Sequence, residues 1–151
     1  MELILWRHCD AKDGVPDELR PLSKRGRAEA AQMAAWLGPR LPATTRILVS
    51  PAVRTQQTAA ALGHPFETDA ALAPGASVDD VLRAACWPDA SRTTLIVGHE
   101  PTLGEVAAWL LDGQSGGRPL KKGAVVWLAH HPAGDASAVL EIAASPASVG
   151  R

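Results

Sequence analysis

The chain has 151 residues, 46% of them hydrophobic, which suits one domain (1–151) with a real core and excludes a disordered chain. Lys plus Arg number 15 and Asp plus Glu 16, so there is no broad cationic field to attract nucleic acid. Two cysteines without CxxC spacing, Cys9 and Cys86, exclude a disulfide framework and a zinc-finger pattern.

Residues 2–6 read as a short buried strand. Glu2 and Arg7 bracket only four apolar residues, too few for a signal peptide or a membrane span, so a cytoplasmic protein is expected. Ser23 caps a predicted helix through Leu37, with Gly26, Ala30, Met33, Ala34 and Leu37 on one face and Gly38-Pro39 as the stop. A second apolar run, 46–49, predicts another strand. Ser50-Pro51 then reads as a helix start, a capping hydroxyl before Pro at the first helical position, and Gly63 ends that helix after Leu62. His64-Pro65 reads as the helix exit. Ser77 caps a further helix through Cys86. Residues 93–97 form the third apolar run, and Pro101 opens a helix to Leu111 with Leu103, Val106, Ala107, Leu110 and Leu111 on its stripe. Residues 112–119 read as a flexible loop. Lys121-Lys122 marks a charged strand entrance. Two closing strands, 123–129 and 138–143, are joined by a turn around "HPAGDA", with His130-His131 solvated beside it. The tail "SPASVGR" is expected to be poorly ordered. The five tryptophans, Trp6, Trp36, Trp87, Trp109 and Trp127, are assigned to core and rim packing.

Apolar runs without alternation suit strands covered on both faces. The element order therefore implies an α/β fold, a three-layer αβα sandwich with a mostly parallel central sheet.

Ligands of open α/β sheets bind beyond the carboxyl ends of the strands. The three parallel runs lead, in turn, into Arg7-His8, "SPAVRTQQTA" and "GHEP". These junctions can bring Arg7, Arg54, His8 and His99 together. Arg54 lies in the first turn of a helix, where the dipole disfavours a cation unless an anion is held there. An exposed Arg at such a place costs well under about 1 kcal/mol, so on this position alone a solvated side chain is the preferred reading. Arg7 directly follows the apolar run, and a structural ion pair to Asp10 is its ordinary explanation. Each histidine taken singly reads as a hydrogen-bonded structural residue. A metal site is disfavoured: there is no HxH, no HExxH and no carboxylate pair in ligand spacing, and two arginines would repel a divalent cation. The combination favours an anion, phosphate above all, because guanidinium matches its oxygens in a bidentate fork. A neutral imidazole can attack phosphorus, and the arginines can stabilise the equatorial oxygens.

"RHCDA" at 7–11, "RPLSKRG" at 20–26, "SPAVRTQQTA" at 50–59 and "VGHEP" at 97–101 resemble, in order and spacing, the histidine phosphatase superfamily, which includes the cofactor-dependent phosphoglycerate mutases. The short length and the "RPL" element resemble its SixA-type phosphohistidine phosphatase branch most closely. The resemblance covers nearly the whole chain. It implies a phosphoglycerate mutase-like fold, with His8 as the nucleophile passing through a phosphohistidine intermediate. It implies a phosphate pocket of Arg7, Arg54 and His99, and Arg20 as a further phosphate or substrate contact; a solvated loop arginine is the competing reading of Arg20. No metal or cofactor is implied, and the expected substrate is a histidine-phosphorylated partner protein met by a monomer, without nucleic acid or membrane.

Two departures stand out. Cys9 replaces the family's Gly, so a tighter pocket and an oxidation-sensitive thiol are raised beside inert packing. Ala71 stands near the usual position of the acidic proton donor, with Asp69 close by. A phosphomonoester leaves as an alkoxide and needs that proton, whereas a phosphoramidate expels imidazole more easily. Asp10, Asp17 or Glu18 is the substitute donor to examine. Two other functions stay open on sequence: a small-molecule phosphomonoesterase, and a catalytically poor phosphate- or phosphoprotein-binding module.

Overall fold

The computed structural model describes residues 1–131 and 137–150. Six strands, β1 (Glu2–Arg7), β2 (Arg46–Val49), β3 (Glu67–Thr68), β4 (Thr94–Gly98), β5 (Val125–His130) and β6 (Ala138–Ala144), form one sheet in the order β3-β2-β4-β1-β5-β6. The first four are mutually parallel; β5 runs antiparallel to both β1 and β6.

Why Leu3–Trp6 form a buried strand is visible in the alternation. Leu3 and Leu5 face a cluster with Val81 of α3 (Val78–Ala84) and Val106, Ala107 and Leu110 of α4 (Thr102–Asp112). Ile4 and Trp6 face the opposite cluster, with Met33 and Leu37 of α1 (Lys24–Leu37) and Ala59 of α2 (Val53–Ala60). Both faces of the strand are covered, so no polar residue is needed at any position. This is the expected three-layer αβα sandwich with a mostly parallel sheet.

The register matters for the site. Arg7 pairs with Gly98, and Val49 with Val97. The carboxyl ends of the adjacent β2, β4 and β1 therefore stop at one level. Close approach fixes α1 against the segment beyond β1: a Cβ on Gly26 would sit 1.8 Å from the Asp10 carbonyl oxygen. Ser23 caps α1 by accepting from the Gly26 N–H, as expected.

Several expectations are corrected. Helix α2 starts at Val53, with Ala52 as its N-cap, so Ser50 is not a capping residue. Its hydroxyl is engaged elsewhere. The two-residue β3 and a 3₁₀ turn at Ala70–Leu72 are too short to leave a periodic signal. The tail is ordered through Gly150: a capping box of Ser145 and Ser148 starts α5 (Pro146–Val149), and Gln32 Nε2 donates to the Pro146 carbonyl at 3.1 Å. The 112–119 loop is anchored at its end, where the Arg118 N–H donates to Gly104 O at 2.9 Å. His130 belongs to β5 and meets the Trp87 ring edge-on. Trp6 and Trp127 are core residues, but Trp109 is half exposed. Most of the expected "HPAGDA" turn, 132–136, lies outside the described residues. No helix among the described residues is long and apolar enough to cross a membrane.

Candidate active site

The backbone of β1 delivers its two terminal side chains by continuing the ladder past the strand. Arg7 N donates to Ala124 O at 3.0 Å and His8 N to Gly98 O at 3.1 Å. His8 therefore hangs between β4 and the segment entering β5, and is 7% exposed. His99 follows Gly98 directly. The two imidazoles lie 5.3 Å apart, centroid to centroid. Arg54, 5% exposed, reaches the same place from the first turn of α2. Thr58, one turn further along, accepts from the Cys9 N–H at 3.1 Å and donates to Arg54 O at 2.8 Å, tying α2 to the segment after His8.

The hydrogen bonds assign the tautomer of His8. His8 Nδ1 lies 2.7 Å from the Cys9 carbonyl oxygen. A carbonyl only accepts, so Nδ1 carries the proton and Nε2 of the neutral ring keeps its lone pair. Burial, opposed by that carbonyl and reinforced by Arg54, Arg7 and Lys122, pushes the His8 pKa down to about 4. Burial, then the proximity of His8 and Arg54, pushes His99 down to about 3. Both rings are neutral at pH 7. Arg7, lowered from its ordinary value by burial, remains a cation.

Among the described residues, the buried side-chain nitrogens and oxygens without a hydrogen-bond partner are Arg7 Nε, Arg54 Nε and His99 Nδ1. An unsatisfied buried polar group is expensive, about 1–3 kcal/mol and more when charged. All three fall on residues singled out from sequence. Two guanidiniums and an imidazole with unused nitrogens around a free imidazole lone pair make a receptor for a tetrahedral anion.

Arg7 and Arg54 are held by their remaining nitrogens. Arg7 Nη1 donates to Leu120 O at 2.8 Å. The Glu100 carboxyl, which follows His99, accepts from Gly104 N at 2.8 Å through Oε1. Glu100, which sequence reasoning passed over inside "GHEP", thus ties the end of β4 to α4, and its charge interacts favourably with Arg7. Arg54 Nη1 donates to Asp17 O at 2.9 Å, and Nη2 pairs with Asp17 Oδ2 at 3.0 Å. Arg20 pairs with the other oxygen of that carboxylate at 3.0 Å. Arg20 therefore communicates with the pocket through Asp17, and its Nε is used on Lys12 O at 2.8 Å. The Asp17–Arg20 spacing in "DELR" was readable as an i,i+3 pair; the contact with Arg54, 37 residues away, was not.

The Arg7–Asp10 ion pair does not form. Asp10 is bound by the Ser23 hydroxyl at 2.6 Å and by Lys122 Nζ at 3.0 Å. Cys9 is fully buried against Leu22 and Ala30, and burial first, then Glu29, pushes its thiol up to about 12. That is inert packing, and an oxidation-sensitive Cys9 is not supported. Nor does its backbone demand glycine: among the described residues Cys86 is the non-glycine with positive φ. Asp69 accepts from Ala71 N at 2.9 Å, capping the 3₁₀ turn. No group of three or more His, Cys, Asp or Glu that could hold a metal ion occurs among the described residues.

A model of the histidine phosphatase superfamily, branch 1, matches residues 3–77. Phosphohistidine phosphatase SixA of Escherichia coli K12 is 30% identical over 124 residues, 76% of this chain and 77% of that protein. An uncharacterized Mycobacterium tuberculosis protein is 38% identical over 100 residues; the match spans 63% of this chain and 61% of that relative. Among solved structures, a candidate phosphohistidine phosphatase SixA from Nakamurella multipartitia aligns over 96% of this chain and 95% of its own, with TM-score 0.82 and 31% identity. The protein histidine phosphatase SixA complexed with tungstate aligns over 97% and 98%, with TM-score 0.80 and 26% identity.

Proposed function

The chain belongs to the histidine phosphatase superfamily, in its SixA-type branch, and on that premise we propose that it is a metal-independent phosphatase that removes phosphate from phosphohistidine on a partner protein. The observation that carries this reading is the set of unpartnered nitrogens on Arg7, Arg54 and His99 around the free Nε2 of a neutral His8.

In the first step His8 Nε2 attacks phosphorus and the P–N bond to the substrate ring breaks. A substrate imidazole that is protonated on its other nitrogen leaves as the neutral base, so no proton need be supplied to it. His8 becomes a phosphoimidazolium whose Nδ1–H stays on the Cys9 carbonyl. Arg7 and Arg54 hold the equatorial oxygens, where charge concentrates in the transition state. Water then attacks phosphorus, the Nε2–P bond breaks, dihydrogen phosphate leaves and neutral His8 returns.

The carboxylates near the pocket fit a leaving group that needs no acid. Asp17, bound first by Arg20 and then by Arg54, is held below the usual carboxylate range, and so is Asp10 through Ser23 and Lys122. Both are ionised at neutral pH and poor proton donors. Glu100 is raised by burial, but its Oε1 is engaged on Gly104 N.

The test is phosphate release from a histidine-phosphorylated phosphotransfer protein without added metal, with His8→Ala beside the wild type. Release that vanishes in the variant supports the reading. Turnover of an alkyl phosphate in preference to the phosphoprotein would make this a phosphomonoesterase. Phosphate binding without any phosphoenzyme would make it a binding module.

A further inference from the structure

His99 Nε2 lies 2.7 Å from Ser50 Oγ, and both groups are buried. The serine cannot easily move. Its N–H donates to Val97 O at 3.1 Å, and its carbonyl accepts from Thr55 Oγ1 at 2.9 Å and Gln56 Nε2 at 2.8 Å. Its hydroxyl oxygen also accepts from the Ala52 N–H at 3.3 Å.

A neutral imidazole has one N–H, and the two placements are not equivalent here. If Nε2 carried the proton, Ser50 Oγ would accept from both Ala52 and His99. The fully buried hydroxyl proton would then lack any partner, and the unpartnered Nδ1 would present a lone pair beside Arg7 and Arg54, where an anion would sit. If instead Ser50 donates to Nε2, its oxygen accepts from Ala52 and its proton is used. The orphaned atom is then an Nδ1–H donor, which an anion satisfies.

From this geometry, and resting on the phosphatase reading above, we infer that Ser50 is a positioning residue that fixes His99 as the Nδ1–H tautomer, so that a donor and not a lone pair meets the transferring phosphoryl group. The tautomer is thus set by a residue that never touches substrate, as a second partner sets it in other histidine sites. It is the reverse of the His8 arrangement, in which a carbonyl draws the proton to Nδ1 and frees Nε2.

The experiment is ¹⁵N NMR of the full chain labelled at histidine, combined with binding of inorganic phosphate to wild type, Ser50→Ala and Ser50→Thr. Wild type should show a pyrrole-type Nδ1 and a pyridine-type Nε2 on His99. Ser50→Ala should lose that single tautomer and bind phosphate about tenfold more weakly, the effect of losing one hydrogen bond to a charged group. Ser50→Thr, which keeps the hydroxyl, should retain the tautomer. In a His99→Gln background, whose amide donor needs no tautomer, Ser50→Ala should have no further effect on phosphate affinity. A wild-type spectrum with the proton on Nε2 overturns the inference whatever the variants do, and so does an unchanged tautomer with unchanged affinity in Ser50→Ala. Wild type that binds no phosphate yet shows the Nδ1–H tautomer overturns the pocket reading and, with it, the catalytic purpose given to Ser50.

Discussion

The ends of β1 and β4 invite comparison. Both strands have apolar interiors covered on both faces, both stop at the same level of the sheet, and each is followed at once by a buried neutral imidazole. They differ in the partner given to the ring. At β1 the partner is the Cys9 carbonyl, a pure acceptor, and His8 is left with a bare Nε2. At β4 it is the Ser50 hydroxyl, which can donate, and the unpartnered nitrogen is Nδ1. One residue type at matched positions is thus fitted by a single neighbouring oxygen to the two proposed roles, nucleophile and oxyanion donor.

Replacing the rings is the harshest way to break the comparison. His8→Ala should abolish both phosphoenzyme and turnover, read by acid-labile phosphate on the protein and by phosphate release. His99→Ala should keep a detectable phosphoenzyme while lowering turnover by about two to three orders of magnitude, the scale of one lost oxyanion donor. Equal losses in the two variants would erase the proposed division of labour. Arg7→Ala and Arg54→Ala should each lower turnover by about a hundredfold, with substrate affinity also weakened.

Acid sharpens the comparison without mutation. Free histidine titrates near 6.5, whereas His8 and His99 titrate near 4 and 3 in the folded chain. Between those limits the unfolded chain binds more protons, so stability is full above about pH 6.5 and falls as the pH drops toward 3. Below the folded values that loss is complete. Denaturant midpoints measured from pH 7 to 4 should fall less steeply in His99→Gln than in the wild type. Identical slopes would show that the ring is not buried neutral.

The smallest effect belongs to Cys9. Cys9→Gly should leave turnover within about twofold and lower stability by about 1–2 kcal/mol, because it removes a packed thiol and frees the unfolded backbone. Thiol reagents should label exposed Cys86 and spare Cys9 in the native protein. Activity gained strongly on Cys9→Gly would mean that the thiol crowds the pocket.

The same two strand ends show what a sequence can disclose. Gly26, Ala30, Met33, Ala34 and Leu37 were legible as one buried face because helical periodicity is local. Arg7, His8, Arg54 and His99 were legible because strand ends in a parallel sheet meet at one edge. Ser50 reads as a cap because Ser-Pro is a strong local signal, while its true partner lies 49 residues away. Asp17 on Arg54 and Leu120 on Arg7 were hidden for the same reason: each is a contact between segments with no shared period. The α5 turn was hidden differently. Its Ser145–Ser148 capping box is local, but seven mostly small residues at the end of the sequence read as fraying.

Arg7 meets Leu120 across 113 residues, and the His8 carbonyl accepts from Gly123. On the ribosome this separates synthesis from assembly. Arg7 and His8 are made well before the peptide at residue 120 that orients the Arg7 guanidinium. A nascent chain halted before residue 120 carries Arg7, His8, Arg54 and His99 but lacks the carbonyl that holds Arg7 Nη1.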